Sequence, residues 1–276
     1  MKLFLISFLA VMTAACNSAQ TSASKKMGRV DYANTITAED LSTHLYQFAD
    51  DKMQGRMTGT DGQKMAAEYL RNFYMDQGIP APVEENNYYQ NIPASYFSRM
   101  KEPVASENVV AFIKGSEKPE EVIVLSAHYD HVGMHDGEIF NGADDDGSGT
   151  VAMLEMAEAF QKAVKNGHGP KRSLLFLHVT GEEIGLYGSK YYTENPLFPL
   201  ANTVANLNTD MIGRIDPDKK DAPNYIYLIG SDKLSQELHD LSENVAETYS
   251  DLELDYKFND ENDPNRFYYR SDHYNF

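Results

Sequence analysis

The sequence predicts an α/β fold: a single domain with a mainly parallel, mixed central sheet, flanked by helices on both faces. Two observations lead there. Short apolar, β-branched runs alternate with stretches of helical period, the pattern of a sheet buried on both sides. The chain is also long enough, at 276 residues and 42 % hydrophobic, to bury one large core.

The elements follow in chain order. A basic "MK" and the apolar "LFLISFLAVM" precede the small-residue stretch "TAAC". That run is shorter than the roughly 20 residues of a membrane span and reads as an export signal. Cys16, the only cysteine, stands where a lipoprotein signal places its lipidated residue, although Thr13 replaces the usual Leu. A cleaved secretory leader with an incidental cysteine is the plainer alternative. The expectation is a lipoprotein signal peptide over 1–15, a flexible tether over 16–34 and one domain over 35–276. A lipid on Cys16 would anchor it to a membrane, facing the periplasm or the cell exterior.

The stretch 41–78 looks helical, with Met65, Tyr69 and Phe73 on one stripe and Ala66 and Leu70 on its neighbour. Gly78 and Pro80 stop it. "NVVAFIKG", "EVIVLSAHYD", "RSLLFLHVTGEE", "TVANLNTDMIG" and "NYIYLIG" read as strands. "SGTVAMLEMAEAFQKAV" reads as a helix with Met153, Met156, Phe160 and Val164 on one stripe, capped by Ser148 or Asp146. "SQELHDLSENVAETY" is a further helix, and "NDENDPNRF" a polar loop.

A net charge of −18 argues against nucleic acid as a partner, because phosphates need a basic face. With a single cysteine, any metal site must use imidazoles and carboxylates.

"NGADDDGSGT" at 141–150 sets Asp144, Asp145 and Asp146 side by side. One aspartate is enough to cap a helix. Asp144, Asp146, Ser148, Gly149 and Glu155 also match positions of an EF-hand calcium loop. The glycine-rich stretch before them provides no entering helix. A third reading takes in the strand ends: His128 and Asp130 in "SAHYDH", Glu182 and Glu183 in "TGEEIGLYGS", Asp210 in "NTDMIG", and His273 in "RSDHYNF". In an open α/β sheet such ends converge on the ligand crevice. Imidazoles and carboxylates without thiolate suit zinc, and manganese or cobalt less specifically.

In order, H-x-D, G-A-D-D-D-G-S-G, G-E-E-x-G-L-x-G-S, N-x-D-M-x-G and S-D-H resemble the co-catalytic di-zinc aminopeptidases. These are the bacterial leucyl aminopeptidases and their relatives, glutamate carboxypeptidases and glutaminyl cyclases included. The resemblance begins at "GRMTGTDGQKMAAEYL" and runs to the last residue. It implies a metal-dependent exopeptidase that hydrolyses N-terminal peptide bonds of peptide substrates with two Zn2+, or Mn2+ or Co2+ in their place.

The same resemblance implies roles. Asp144 would bridge two metals roughly 3.5 to 4 Å apart, next to a cis peptide between Asp144 and Asp145. His128 and Asp210 would complete one metal site, Glu183 and His273 the other. Glu182 would be the general base. Asp130, two residues from His128 on an extended chain, would accept the N–H of its ring. His131 and His135 lie near the site without a role; His44, His168, His178 and His239 read as surface or core.

Three alternatives stand beside this. Glutaminyl cyclases use one zinc and an altered bridging motif, whereas His128 and the three aspartates are intact here. A carboxypeptidase would need a basic pocket, for which Arg214 and Arg266 are candidates. A non-catalytic metal-binding lipoprotein has no use for Glu182. Family members continue past the final histidine with another strand and helix; here three residues follow His273, so the core's edge should be partly exposed.

Overall fold

The computed structural model describes residues 27–276. The expected signal peptide, Cys16 and the start of the tether lie outside the described residues. Helix α1 (Arg29–Ala33) falls inside the 16–34 stretch, and Tyr32 is buried with its hydroxyl 2.7 Å from His168 Nδ1. One buried aromatic is enough to order so short a helix.

The stretch 41–78 is two helices rather than one. Helix α2 (Ala38–Phe48) is capped by Thr37, whose side chain accepts from the Asp40 N–H. Helix α3 (Asp61–Gln77) is capped by Thr60 and ended by Gly78 in the left-handed region. Between them Asp51–Arg56 forms a tight turn with Gly55 at φ +65°. A Cβ on Gly55 would meet the Phe140 carbonyl oxygen at 2.4 Å, so the close approach requires glycine. On α3 the buried stripe is Ala66, Leu70 and Tyr74; Met65 faces solvent, and Tyr69 and Phe73 sit at the margin.

The main sheet has the order β1-β2-β6-β3-β7. Strand β1 (Tyr89–Ile92) is antiparallel to β2 (Ser106–Ile113), which is antiparallel to β6 (Arg172–Val179). Strand β3 (Lys118–His128) runs parallel to β6 and to β7 (Thr203–Asn208). The sheet is therefore mixed, with its parallel half around β3. A small hairpin of β4 (Gly133–His135) and β5 (Glu138–Phe140) leads into the aspartate loop. "NYIYLIG" does not join the main sheet. Its strand β8 (Tyr225–Tyr227) pairs only with β9 (Glu253–Asp255), and these flank α6 (Ser231–Leu234) and α7 (Gln236–Tyr249).

Alternation along β6 serves two cores. Leu174 and Phe176 face a cluster with Leu70, Tyr74, Met153 and Leu154, under α3 and α4 (Gly149–Lys165). Leu175, Leu177 and Val179 face the other side, closed by Tyr192 of α5 (Tyr187–Glu194), by Phe198 and by Phe276. In register, His128 lies opposite Val179, and Ser126 opposite Asn208. The carboxyl ends of the three parallel strands are thus level, and the chain leaves each of them toward one crevice. Val204 and Leu207, on the edge strand β7, are exposed.

Candidate metal centre

The three aspartates point in different directions. Asp145 is extended at φ −100°, ψ 101°, so its neighbours' side chains turn away from its own. Asp144 Oδ1 accepts from the Gly213 N–H at 2.8 Å and its Oδ2 lies 3.3 Å from Arg214 Nε. Asp146 Oδ1 accepts from Gly149 N–H at 2.9 Å, capping α4, and from Met211 N–H at 3.1 Å. Ser148 Oγ takes the N–H between them, that of Ile212, at 3.0 Å. The flanking aspartates therefore grip the loop after β7, and Asp145 is left to face the crevice.

The cis peptide lies between Asp145 and Asp146, one residue later than expected. The carboxylate of Asp144, expected to bridge, is turned to the 213–214 backbone and guanidinium. Asp145 joins two groups whose ligand atoms lie within 4.8 Å of one another: with His128 and Asp210, and with His131 and Glu183.

The atoms in these groups carry a signature. His128 Nε2, His131 Nδ1, Glu183 Oε1, Asp210 Oδ1 and His273 Nε2 are all buried without a hydrogen-bond partner. Yet His128 Nε2 is 3.0 Å from Asp145 Oδ1 and 3.7 Å from Asp210 Oδ1, and His131 Nδ1 is 2.6 Å from Glu183 Oε1. They are close but not aimed at one another. Buried polar atoms are nearly always paired; lone pairs converging on a common point fit a cation. The donor set, imidazole and carboxylate without thiolate, fits zinc.

Around this cluster sits a supporting layer. His128 Nδ1 is 3.1 Å from the backbone carbonyl of Asp130, while the Asp130 carboxylate is 3.8 Å away. The carbonyl, not the carboxylate, therefore orients the ring. The carboxylate instead accepts from Thr58 Oγ1 at 2.8 Å and from the Glu182 N–H at 3.2 Å, so it positions Glu182. Ser271 donates to Asp210 Oδ2 at 2.6 Å.

Arg56 is fully buried and donates to four carbonyls, those of Phe48, Tyr129, Asn141 and Gly142, at 2.7 to 2.9 Å. It ties the end of β3 to the start of the aspartate loop. Burial lowers its pKa to about 10, against the pull of Asp130, Asp146 and Asp145. It stays charged at neutral pH.

Electrostatics point the same way. Burial opposes the charged form of His128, but the carboxylates of Asp145 and Asp210 outweigh it and raise its pKa well above the ordinary value. A field strong enough to hold a proton on a buried imidazole also draws in a divalent cation. Burial pushes Glu182 up to about 9, with His128 opposing and Asp272 and Asp130 adding to the rise. A dication alongside reverses that logic and favours the carboxylate.

The structure thus gathers His128, Asp145, Glu182, Glu183 and Asp210 in one crevice. His273 presents a buried, unpartnered Nε2, its ring 5.4 Å from Tyr268, but belongs to neither tight group. Beside Glu183 the structure places His131, which the sequence left without a role. Asp272 was also missed: it is fully buried, accepts from Ser189 at 2.5 Å, and is held up to about 7 by burial despite His128. Arg56 stands in the "GRMTGTDG" stretch where the resemblance begins, but nothing there singled it out. The EF-hand is excluded by geometry, since Glu155 lies 3.3 Å from His44 Nε2, on α2. Of the arginines expected for a carboxypeptidase pocket, Arg214 faces Asp144 and Arg266 stacks on Tyr269.

Comparison with known proteins agrees with this fold. A "Probable zinc metalloprotease" from Pyrenophora tritici-repentis is 33 % identical over 159 residues, covering 55 % of this chain and 30 % of its own length. The chain thus spans less than a third of that relative. LapB from Legionella pneumophila superposes with a TM-score of 0.63 at 20 % identity, over 91 % of this chain and 61 % of that one. BSAP, a zinc aminopeptidase from Bacillus subtilis, gives 0.60 at 17 % identity, over 87 % and 82 %. Residues 108–276 match the family description itself, and the chain belongs to peptidase family M28.

Proposed function

We propose that the protein is a metal-dependent exopeptidase that removes N-terminal residues from peptides, with two zinc ions in the crevice. The observation that carries this reading is the set of buried, unpartnered ligand atoms arranged as two groups around Asp145. His128, Asp145 and Asp210 would hold one ion; Asp145, Glu183 and His131 the other, with His273 within the same acidic field. Bound zinc supplies Lewis acidity, lowering the pKa of water and polarising the scissile carbonyl.

The chain's own residues do the rest. Glu182 Oε2 lies 4.0 Å from His128 Nε2 and so borders the ligand cluster without belonging to it. From there it takes the proton from the attacking water and returns it to the leaving amine. Asp130 fixes Glu182 through its backbone N–H. The water oxygen adds to the carbonyl carbon, the C–N bond breaks, and the amine departs neutral.

The test pairs metal content with rate. Zinc-loaded protein should contain two ions per chain and hydrolyse aminoacyl-anilides, and a chelator should abolish the activity. Glu182→Gln should keep both ions and lower kcat by at least about 10²-fold. Activity that survives both chelation and Glu182→Gln would refute the reading. We also propose that the mature chain begins at a lipid-bearing Cys16, since stable anchoring needs two or more acyl chains, which a diacylglyceryl cysteine provides. Cys16→Ser should then release the protein from the membrane fraction; wild type found wholly soluble would remove this claim.

A further inference from the structure

A cavity of about 470 Å³ opens beside the proposed base, a volume in the range of small-molecule sites. Glu182 and Glu183 line it, and facing them are Arg99, Arg270, Tyr269 and Tyr274. The two arginines stand out by what they lack. Among the described residues, neither guanidinium makes a hydrogen bond or salt bridge within the protein. Arg99 Nη1 lies along the bare backbone of Gly185, where a Cβ would come within 2.6 Å of it. Arg270 rests its guanidinium 5.2 Å from the Phe267 ring.

The chain has 42 acidic residues against 24 basic ones, and three of its arginines find a carboxylate: Arg71 with Glu68 at 3.3 Å, Arg214 with Asp144 at 3.3 Å, and Arg172 with Glu121. A net charge of −18 repels anionic ligands over most of the surface. Two permanently charged forks, left free at the mouth of the cavity, reverse that locally. Arginine is suited to bidentate recognition of a carboxylate.

We propose that Arg99 and Arg270 form the anion-binding wall of the substrate cavity, and that the preferred peptide carries a carboxylate on the residue released as the leaving amine. The inference rests on the peptidase reading above. Charge fixes the direction: the ammonium of a substrate's N-terminal residue is repelled by both guanidiniums, so the wall faces the part beyond the scissile bond. The carboxylate is either the C-terminus of a dipeptide or the side chain of an Asp or Glu at that position.

Four probes separate these sources: Leu-Ala, Leu-Ala-amide, Leu-Glu-amide and Leu-Gln-amide. Their kinetics are measured on the zinc-loaded wild type, and their binding by calorimetry on zinc-loaded Glu182→Gln. Charged hydrogen bonds of this kind predict that the carboxylate member of one pair binds about 10- to 100-fold more tightly, chiefly through KM. Preference within the first pair identifies the C-terminus, and within the second the side chain. The double change Arg99→Gln and Arg270→Gln should bring the ratio to about 1, and Arg99→Lys with Arg270→Lys should retain part of it, with melting curves confirming that both fold. No preference in either pair, or one that survives the double change to Gln, overturns the proposal. If the wild type hydrolyses none of the four, the peptidase reading fails, and the calorimetric arm still decides whether the wall binds carboxylates.

Discussion

The two halves of the proposed metal centre share Asp145 but are built differently. On one side, His128 is 1 % exposed, its Nδ1 faces the Asp130 carbonyl, and its own carbonyl accepts from Thr150. Its partner Asp210 is held by Ser271. On the other side, His131 and Glu183 are 13 % and 20 % exposed, and among the described residues the Glu183 carboxylate has no polar partner other than His131. A ligand held by its surroundings is already in place when the ion arrives. A ligand that must be ordered loses apparent affinity by the fraction of time it is elsewhere. The difference implies a tight site at His128 and a looser one at His131.

The most severe way to break the comparison is to remove what the halves share. Asp145→Asn should cost zinc at both positions, lowering the content from two ions toward none. Asp144→Asn should keep both and cost about 1 kcal/mol of stability through its hydrogen bond to Gly213. Metal analysis after dialysis, with a thermal melt, distinguishes them. Equal metal loss in the two variants would return the bridge to Asp144.

A smaller effect sharpens the difference between the halves. Ser271→Ala should weaken the tight site by about 10- to 100-fold, the usual cost of losing a partner behind a metal ligand. His131→Ala should leave that site intact and remove the weaker one. Competitive zinc titration with a coloured chelator reads both constants. If His131→Ala left both unchanged while His273→Ala removed the weaker, the second ion would belong to His273.

The smallest effect lies behind the shared loop. Leu45 of α2 packs over Gly147, and Glu155 of α4 meets His44 of the same helix. Burial raises the Glu155 pKa from 4.5 to about 7, with Asp40 and Glu158 adding to the rise. The folded state then holds this proton more tightly than the unfolded one. Stability falls as pH climbs from about 4.5 to 7 and is level beyond. Glu155→Gln lacks that loss, so its advantage over wild type should be absent near pH 4.5 and reach about 1 kcal/mol at pH 8, after solvent screening of a partly wet site. Chemical denaturation at the two pH values measures it; a constant difference would place the carboxylate in water.

What was legible in the sequence follows from physics. Strand ends carrying His128, Glu182, Glu183 and Asp210 announced themselves jointly, because strand ends of an open α/β sheet converge on one crevice. Three identical aspartates cannot announce which of them faces inward. That depends on backbone dihedrals at Asp145, which no residue type at the position specifies. His131 looked like any histidine after a strand, and only folding brings it to Glu183. Strand β1, "YQNI", is polar at alternate positions and too short to register. On α3 both stripes were visible, but which became core was settled by where β2 and β6 lay.

The loop after β7 is held by three successive backbone N–H groups, those of Met211, Ile212 and Gly213, in the grasp of Asp146, Ser148 and Asp144. A grip on the main chain is blind to side-chain identity. In a saturation library, position 212 should therefore accept almost any residue except proline, which alone lacks the donor. Position 211, at φ +56°, should favour glycine and asparagine, and Gly213 should tolerate nothing larger, with Asp144 Oδ1 only 3.0 Å from where a Cβ would stand. The half-exposed side chains of Met211 and Ile212 are free to drift, giving the crevice a rim that can be rewritten without disturbing Asp210, which precedes it.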